Sequence, residues 1–331
     1  MKRGRQMKHK APGKAHRKGI PLAKLFKMFP DDATAEAWFA DQRWGDTPAC
    51  PHCGSLNVQV GCKHKTMPYR CREKECAKRF SVKTGTVMQA SNLGYQVWAI
   101  AIYLMTTGIK GVSSMKLHRD LDISQKSAWH LAHRIRMAYG LDDDAPPLTG
   151  PVEVDEAFFG GKEGNKHESK KLRAGRGGVG KTPVVGVRSQ ATNEIRARVT
   201  SLRKADLVGF VETHAGGEMV YSDEAHAYND LLEHESVKHS IGEYVRGPVH
   251  INGVEGFWAM MKRGFHGTYH KMSPKHLNRY ADEFSGRHNI RELDTLDQMS
   301  EVVHGFEGKR LRYNDLIAPT GLDSGARPAT D

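Results

Sequence analysis

Two pairs of cysteines constrain the fold of this chain more than any other feature. Cys50 and Cys53 lie in CPHCG, and Cys71 and Cys76 lie in CREKEC, with seventeen residues between the pairs. Two short turns joined by a loop of about this length can close four thiolates around one tetrahedral zinc ion. We therefore predict a zinc ribbon that holds one structural Zn²⁺. Because the second pair is spaced by four residues, three neighbouring side chains stay open as substitute ligands: Cys62, His52 and His64.

The charge distribution indicates a polyanionic partner. The 331 residues include 50 Lys and Arg against 38 Asp and Glu, and the net charge is +12. Such an excess attracts the phosphate backbone of nucleic acids. Residues 1–30 contain no acidic side chain, so we expect a flexible basic arm there. No apolar signal segment follows this start, and the apolar run Gln96–Met105 is about half as long as a membrane crossing. We expect a cytoplasmic, nucleoid-associated protein without a membrane segment.

A helical module is predicted after the ribbon. Its three helices have these predicted bounds: Leu93–Thr107 before a capping Gly108, Ser113 or Ser114 to Leu121, and Ser124 to about Tyr139. The last two form a helix-turn-helix pattern, in which the third helix would insert into a DNA groove. Its outward-facing side chains would be Lys126, His130, His133, Arg134 and Arg136, and we take Lys126, His130 and Arg134 as DNA contacts. An ordinary helical hairpin has the same periodicity and stays open as an alternative.

The largest module follows a linker at residues 142–151, which is rich in Asp and Pro. Strands that come first, with helices around them, predict an α/β core. The predicted elements are strands in VEVDEAFF, TPVVGVRS and EIRARVT, a helix at Lys204–Thr213, a strand in EMVYSDE, a fifth strand at Ser236–Val245 and a helix at His250–Phe265.

Three acidic residues and a lysine carry the chemistry predicted for this module. Asp155 lies in the first strand candidate and Asp223 ends the fourth, while Glu255 and Lys262 lie seven residues apart on the last helix. Carboxylates on two strands and a helix can hold two divalent cations against a phosphodiester. Lys262 would hold a neighbouring phosphate, and Asn252, one turn before Glu255, is a further candidate. Spacing alone leaves open a turn-forming aspartate and a solvated helix face.

The run GRGGVGKT at residues 175–182 fits a phosphate-loop pattern, but its context does not. A phosphate loop lies between a strand and a helix, whereas Pro183 here leads into a β-rich run. We therefore predict no nucleotide cofactor. We predict instead a flexible hairpin tip at Lys162–Lys181 that touches the DNA backbone. The predicted DNA contacts outside the helical module are Lys171, Arg173 and Arg176 in this tip, and Arg263 beside Lys262.

Much of the chain resembles the insertion-sequence transposases of the ISXO2-like group. The resemblance covers about Phe29 to Ile317. It is carried by VEVDEAFFGGK, KTPVVGVRS, YSDEAHAYNDL, HINGVEGFWAMMKRGFHGTYHKMS and RHNIREL in the second half, and by WGDTPACPHCGS, YRCREKECAKRFSVKTGTVMQAS and GYQVWAIAIYLM in the first. These enzymes join a zinc ribbon to a DDE catalytic core of ribonuclease H-like fold. The resemblance implies that Asp155, Asp223 and Glu255 hold two Mg²⁺ or Mn²⁺ ions beside Lys262. The third acidic position is Asn in some members, which keeps Asn252 as a second candidate.

The resemblance also implies a domain order and partners. Five segments are expected: a basic arm at 1–30, a short helix and zinc ribbon at 31–90, a helical DNA-binding module at 91–145, the catalytic domain at 146–290 and a C-terminal extension at 291–331. The expected partners are double-stranded DNA, both element ends and target, and further copies of the chain. Three functions stay open: a transposase, a transposase-derived regulator without catalysis, and a hydrolytic nuclease on the same fold.

Overall fold

The computed structural model describes residues 18–140, 145–172, 178–223, 226–229, 231–237 and 249–324. The helices are α1 (Leu22–Met28), α2 (Asp32–Trp44), α3 (Tyr95–Thr107), α4 (Ser114–Leu121), α5 (Gln125–Ala138), α6 (Lys204–Ala215), α7 (Asn252–Gly264), α8 (Leu277–Asn289), α9 (Thr295–His304) and α10 (Tyr313–Ile317). The strands are β1 (Val58–Gln59), β2 (Tyr69–Cys71), β3 (Arg79–Phe80), β4 (Val152–Phe159), β5 (Thr182–Ser189), β6 (Ile195–Val199), β7 (Val220–Ser222) and β8 (His234–Ser236). In this part of the chain, no helix is long and apolar enough to cross a membrane.

The ribbon is a three-stranded antiparallel sheet with the order β1-β2-β3. Its core is small, because Phe80 and two of the cysteines are its fully buried members. Trp44 at the end of α2 packs edge-on against Tyr69 and Phe80 and joins the ribbon to the helices. The run Phe80–Gln89 predicts a strand and a turn around Gly85, and in the structure β3 ends at Phe80 and the chain continues in turns.

The predicted helices after the ribbon are confirmed. α3 ends at its cap Gly108, and the side chains of Ser113 and Ser124 accept hydrogen bonds from backbone amides at the starts of α4 and α5. Both serines thus satisfy amides that have no partner inside the helix. The two longest of these helices, α3 and α5, contribute to one hydrophobic core.

Segments at both ends of the chain enter this helical core. Ile20, Leu25 and Phe29 are buried in it, so the part of the expected arm from residue 20 onward is folded. The first seventeen residues of that arm lie outside the described part of the chain. From the C-terminal extension, α9 contributes Met299 and Phe306 follows it into the same core. The boundaries predicted at residues 30 and 291 therefore do not separate independent packing units.

The second module is built on a five-stranded mixed sheet with the order β6-β5-β4-β7-β8. β4, β5 and β6 are antiparallel neighbours, whereas β4, β7 and β8 run parallel. This is the ribonuclease H-like arrangement that the resemblance to insertion-sequence transposases implies. α7 and α8 cover one face, and α6 covers the other. The fifth strand, β8, begins at His234, two residues before its predicted start, and residues 238–245 of the predicted strand lie outside the described part.

Candidate active site and zinc ribbon

The sheet brings two of the predicted carboxylates together. In the parallel pair of β4 and β7, Val152 lies beside Val220 and Glu153 lies beside Tyr221. Two residues further along the same register, Asp155 reaches the level of Asp223, which directly follows β7. The parallel pairing of β4 and β7 therefore places these two acids side by side, next to the end of β7.

Helix α7 brings the third carboxylate and the lysine. Glu255 lies in its first turn and Lys262 in its last turn, and both side chains are exposed. The indole ring of Trp258 holds the helix on the sheet where it covers Gly186, the β5 partner of Asp155. A Cβ atom at Gly186 would lie 2.7 Å from this ring, so only glycine allows the helix to approach so closely.

The electrostatics of Asp155 link all four predicted residues. Burial, together with the negative charges of Asp223 and Glu255, raises the pKa of Asp155 to about 7, while Lys262 acts in the opposite direction. The Glu156 backbone N–H also stabilises the ionised form by donating a 2.8 Å hydrogen bond to Asp155 Oδ1. Like charges that raise the pKa of Asp155 fit a site that a cation neutralises. The donor set consists of carboxylates, which hard divalent cations prefer.

A further carboxylate that the sequence prediction missed lies next to these acids. Burial raises the pKa of Glu156 to about 7, and the charges of Asp155 and Asp223 raise it as well. The hydroxyl group of fully buried Tyr228 donates a hydrogen bond to Glu156. On a strand, a polar residue among apolar ones is normally predicted to be exposed. Tyr228 lies 72 residues from Glu156 in the sequence, so no neighbouring residue predicts their hydrogen bond.

Asn252 and Glu255 have different surroundings although both lie in the first turn of α7. Asn252 lines a cleft of about 580 Å³ together with Gly253, Gly256 and Met260. Neither Glu255 nor Lys262 contributes to this lining. The cleft, and Asn252 with it, therefore lies on a different flank of α7 from Glu255, which interacts with Asp155.

The four predicted cysteines form one cluster. Cys50 Sγ lies 3.8 Å from Cys76 Sγ, and Cys53 Sγ lies 3.6 Å from Cys71 Sγ. The four sulfur atoms all lie within 4.8 Å of one another and could hold a metal ion such as zinc.

The three side chains considered as substitute zinc ligands lie outside this cluster. Cys62 Sγ lies 3.8 Å from the carbonyl oxygen of Gln59, and His64 Nδ1 accepts hydrogen bonds from the Thr66 and Met67 amides. In the described ranges, the only such group of His, Cys, Asp or Glu ligands is the set of four cysteines, and it does not include His52.

The outward basic face predicted for α5 is largely wrong. Lys126 is exposed, but His133, Arg134 and Arg136 are at most 6% exposed. Arg134 donates hydrogen bonds to the carbonyl oxygens of Leu311 and Gln89, which lie far from it in sequence. Three further contacts complete the correction: His130 Nε2 lies 3.0 Å from the Leu311 carbonyl oxygen, Lys126 Nζ lies over the Tyr313 ring, and Arg136 pairs with Glu283 at 2.7 Å.

The physical reason is that His130, Arg134 and Arg136 find polar partners inside the protein. His133 is buried against the rings of Trp129 and Tyr280. Carbonyl oxygens of the C-terminal extension accept hydrogen bonds at the position where a DNA groove was predicted. From Leu131 onward, α5 is mainly a core helix. The alternative of an ordinary helical hairpin therefore describes this part of α5 better.

The remaining predicted DNA contacts fall into two groups. Arg263 is exposed at the end of α7, and Lys171 pairs with Glu168 at 2.7 Å. Arg173 and Arg176 lie outside the described residues. After GRGGVGKT the chain enters β5, so a strand follows where a phosphate loop requires a helix, as predicted.

Comparisons with known proteins agree with this architecture. Residues 147–289 match the family model described as the ISXO2-like transposase domain. The chain is 29% identical over 282 residues to "Uncharacterized protein in transposable element ISH50" of Halobacterium salinarum, a match that covers 80% of this chain and 93% of the relative. No solved structure matches the chain. Residues 147–289 thus match an ISXO2-like transposase domain, and the two comparisons together support an insertion-sequence transposase.

Proposed function

We propose that this transposase recognises the terminal inverted repeats of its element and catalyses metal-dependent DNA strand cleavage and strand transfer. The observation that carries the proposal is the raised pKa of Asp155, to which burial, Asp223 and Glu255 all contribute. Three carboxylates that repel one another beside a lysine are unfavourable in a purely structural role. They are favourable where divalent cations and a phosphate backbone occupy the same edge of the sheet.

Asp155, Asp223 and Glu255 would hold two Mg²⁺ or Mn²⁺ ions. When bound, such ions supply charge neutralisation and activation of the attacking oxygen in an in-line displacement at phosphorus. Asp155 would lose its proton on metal binding, because its pKa near 7 leaves it partly protonated at neutral pH. Lys262, an exposed point charge, would hold the neighbouring phosphate of the DNA strand.

We assign the third carboxylate to Glu255, with Asn252 as the weaker candidate. Glu255 contributes to the raised pKa of Asp155, whereas Asn252 lines the cleft on another flank of α7. An anionic carboxylate is also a stronger magnesium ligand than an amide oxygen. Glu255→Gln should therefore reduce cleavage far more than Asn252→Ala.

The zinc ribbon supplies the best candidate surface for DNA. Once the four cysteines hold Zn²⁺, the ribbon presents exposed cations on short strands and turns, suited to phosphate contacts. These exposed residues are Lys65, Arg70, Arg72, Lys74, Lys78 and Arg79. We propose that exposed Lys126 and Arg263 add contacts, and that two or more copies of the chain assemble on paired element ends.

The proposal is tested with purified protein, Mg²⁺ and a supercoiled plasmid that carries the coding sequence with its native flanks. New DNA ends and junctions are then sequenced. We expect wild type to break the plasmid at the terminal repeats and join those ends to new sites, and Asp155→Asn to do neither. The matched control is Glu212→Gln, the same change of charge at an exposed position on α6, across the sheet from α7.

The two other functions are distinct outcomes of this experiment. Binding at the repeats without breakage would identify a regulator. Magnesium-dependent breaks that are never joined would identify a hydrolytic nuclease. Equal breakage by wild type and Asp155→Asn would refute the assignment of the active site.

A further inference from the structure

Glu153 is a fully buried carboxylate on the strand that carries Asp155. It lies two residues before Asp155 on β4, so both side chains point to the same face of the sheet. Its side chain is 0% exposed. A buried charge of this kind is costly unless it is paired and hydrogen-bonded, so its partners indicate what it does.

One of these partners is the start of helix α7. The backbone N–H of Val254 donates a 2.8 Å hydrogen bond to Glu153 Oε2. The N-cap residue of α7, Ile251, offers no side chain that could accept such a bond. The carboxylate from β4 therefore caps α7 in place of a local residue, and its negative charge is favourable at the helix N-terminus. Val254 immediately precedes Glu255.

The remaining partners fix the carboxylate itself. Arg188 of β5 forms a 2.7 Å ion pair with Glu153 Oε1, and Gln190 donates a 3.3 Å hydrogen bond to the same oxygen. His250 Nδ1 lies 3.3 Å away. The Arg188 guanidinium group also packs against Gly253, where an added Cβ would overlap it. Two strands and the first turn of α7 thus meet at one carboxylate.

We propose that Glu153 is a positioning residue that sets the angle and register at which α7 presents Glu255 to Asp155. The inference rests on the proposed function, because it assigns the geometry of that same acid cluster. Glu153 touches neither DNA nor metal in this role. It acts through the Val254 amide, and Arg188 and Gln190 hold its oxygens in place.

Two variants separate positioning from folding. Glu153→Ala removes the helix cap and leaves the partly buried Arg188 without its ion-pair partner. Glu153→Gln keeps an oxygen that can accept the Val254 N–H, and so preserves part of the cap. A matched control exists in Glu283, which is also 0% exposed and pairs with an arginine, Arg136, at 2.7 Å. Glu283→Gln makes the same chemical change on α8.

The first measurement does not depend on DNA cleavage. Each protein is loaded with Fe²⁺ in place of Mg²⁺ and treated with ascorbate and peroxide, so that hydroxyl radicals cut the polypeptide near the bound metal. Mass spectrometry locates the cuts. We expect wild type and Glu283→Gln to be cut near Asp155, Asp223 and Glu255. In Glu153→Ala the cuts near Glu255 should be lost while those near Asp155 remain.

The second measurement is the single-turnover rate of strand cleavage at saturating DNA, together with the Kd for DNA and the thermal midpoint. Residues that orient metal ligands typically change metal affinity or activity by about 10- to 100-fold. We expect the rate of strand cleavage to fall by a factor in that range for Glu153→Ala and by a smaller factor for Glu153→Gln. The Kd for DNA should be unchanged in both variants. Glu283→Gln should cleave at nearly the wild-type rate below its melting temperature.

The outcomes distinguish the two proposals. Wild type that is not cut by iron at the three acids would overturn the proposed metal site and the role of Glu153 with it. Cuts at all three acids in wild type and in both Glu153 variants, with equal cleavage rates, would overturn only the positioning role. If Glu153→Ala does not fold, the same comparison between Glu153→Gln and Glu283→Gln decides the question.

Discussion

Removing the metal from the zinc ribbon should unfold the ribbon and leave the helical core folded. Four thiolates at about 2.3 Å from a tetrahedral zinc ion lie about 3.8 Å from one another. Two of the Sγ–Sγ distances, 3.6 Å and 3.8 Å, are close to this value, and all four sulfur atoms lie within 4.8 Å of one another. The ribbon has little else to stabilise it, because Cys50, Cys71 and Phe80 are its only fully buried hydrophobic residues among those described.

Zinc should contribute far more to the stability of the ribbon than its apolar core does. Burying one large apolar side chain contributes about 1.5–3 kcal/mol, so Phe80 cannot offset the entropy of ordering the ribbon. Structural zinc sites contribute about 10–16 kcal/mol of apparent binding free energy near neutral pH. Burial also raises the pKa of Cys71 to about 12 in the metal-free protein, so zinc must displace protons from the cluster. Zinc affinity should therefore fall as the pH is lowered.

The assay combines metal analysis with hydrogen exchange. We expect one zinc ion per chain, and loss of that ion in Cys71→Ser or in excess chelator. The amide of Cys71, which donates to the Lys78 carbonyl, should then exchange rapidly, while amides within α3 stay protected. Cys62→Ser is the control and should retain zinc, since its sulfur lies outside the cluster. A chelated protein whose ribbon amides stay fully protected would refute the reasoning.

Three further perturbations test contacts within the core and on α7. Glu283→Ala leaves Arg136 buried without its partner and should lower the free energy of unfolding by about 3–5 kcal/mol in urea titrations. Burial lowers the pKa of His276 to about 4, so the unfolded chain takes up a proton first as the pH falls below about 6.5. The native state should lose about 2 kcal/mol from this group between pH 7 and pH 5, and His276→Asn should lose correspondingly less. Gly253→Ala brings a Cβ into the guanidinium of Arg188 and should lower the free energy of unfolding by about 1–3 kcal/mol. The double variant with Arg188→Ala should lose less free energy of unfolding than the sum of the two single variants. Additive effects of these two changes would contradict the overlap.

The sequence predicted the parts of this fold that have strong local signals. The strand VEVDEAFF became β4, the serines before α4 and α5 became their caps, and the paired cysteines form one cluster. Three of the four residues proposed for catalysis lie at ends of elements that periodicity locates well. Their mutual interaction could be predicted because parallel strands bring their ends to one edge.

The errors arose where a distant partner changes the environment of a residue. Arg134 and Arg136 have the spacing of an exposed basic face, yet their guanidinium groups are satisfied by partners up to 177 residues away. No periodicity encodes such partners. The same reason explains why Ile20 and Met299 were assigned to flexible or peripheral segments, although both lie in one helical core.

The two buried glutamate–arginine pairs show why similar chemistry can have different consequences. Glu153 with Arg188 and Glu283 with Arg136 have the same distance of 2.7 Å and the same complete burial of the carboxylate. Breaking either pair leaves an uncompensated charge, so the cost in stability should be similar. The elements that they join differ: the second joins α5 to α8, whereas the first joins β4 to β5, and its carboxylate also caps the helix that carries Glu255. A loss of cleavage that follows the first pair and not the second would therefore come from the position of α7, because stability alone affects both equally.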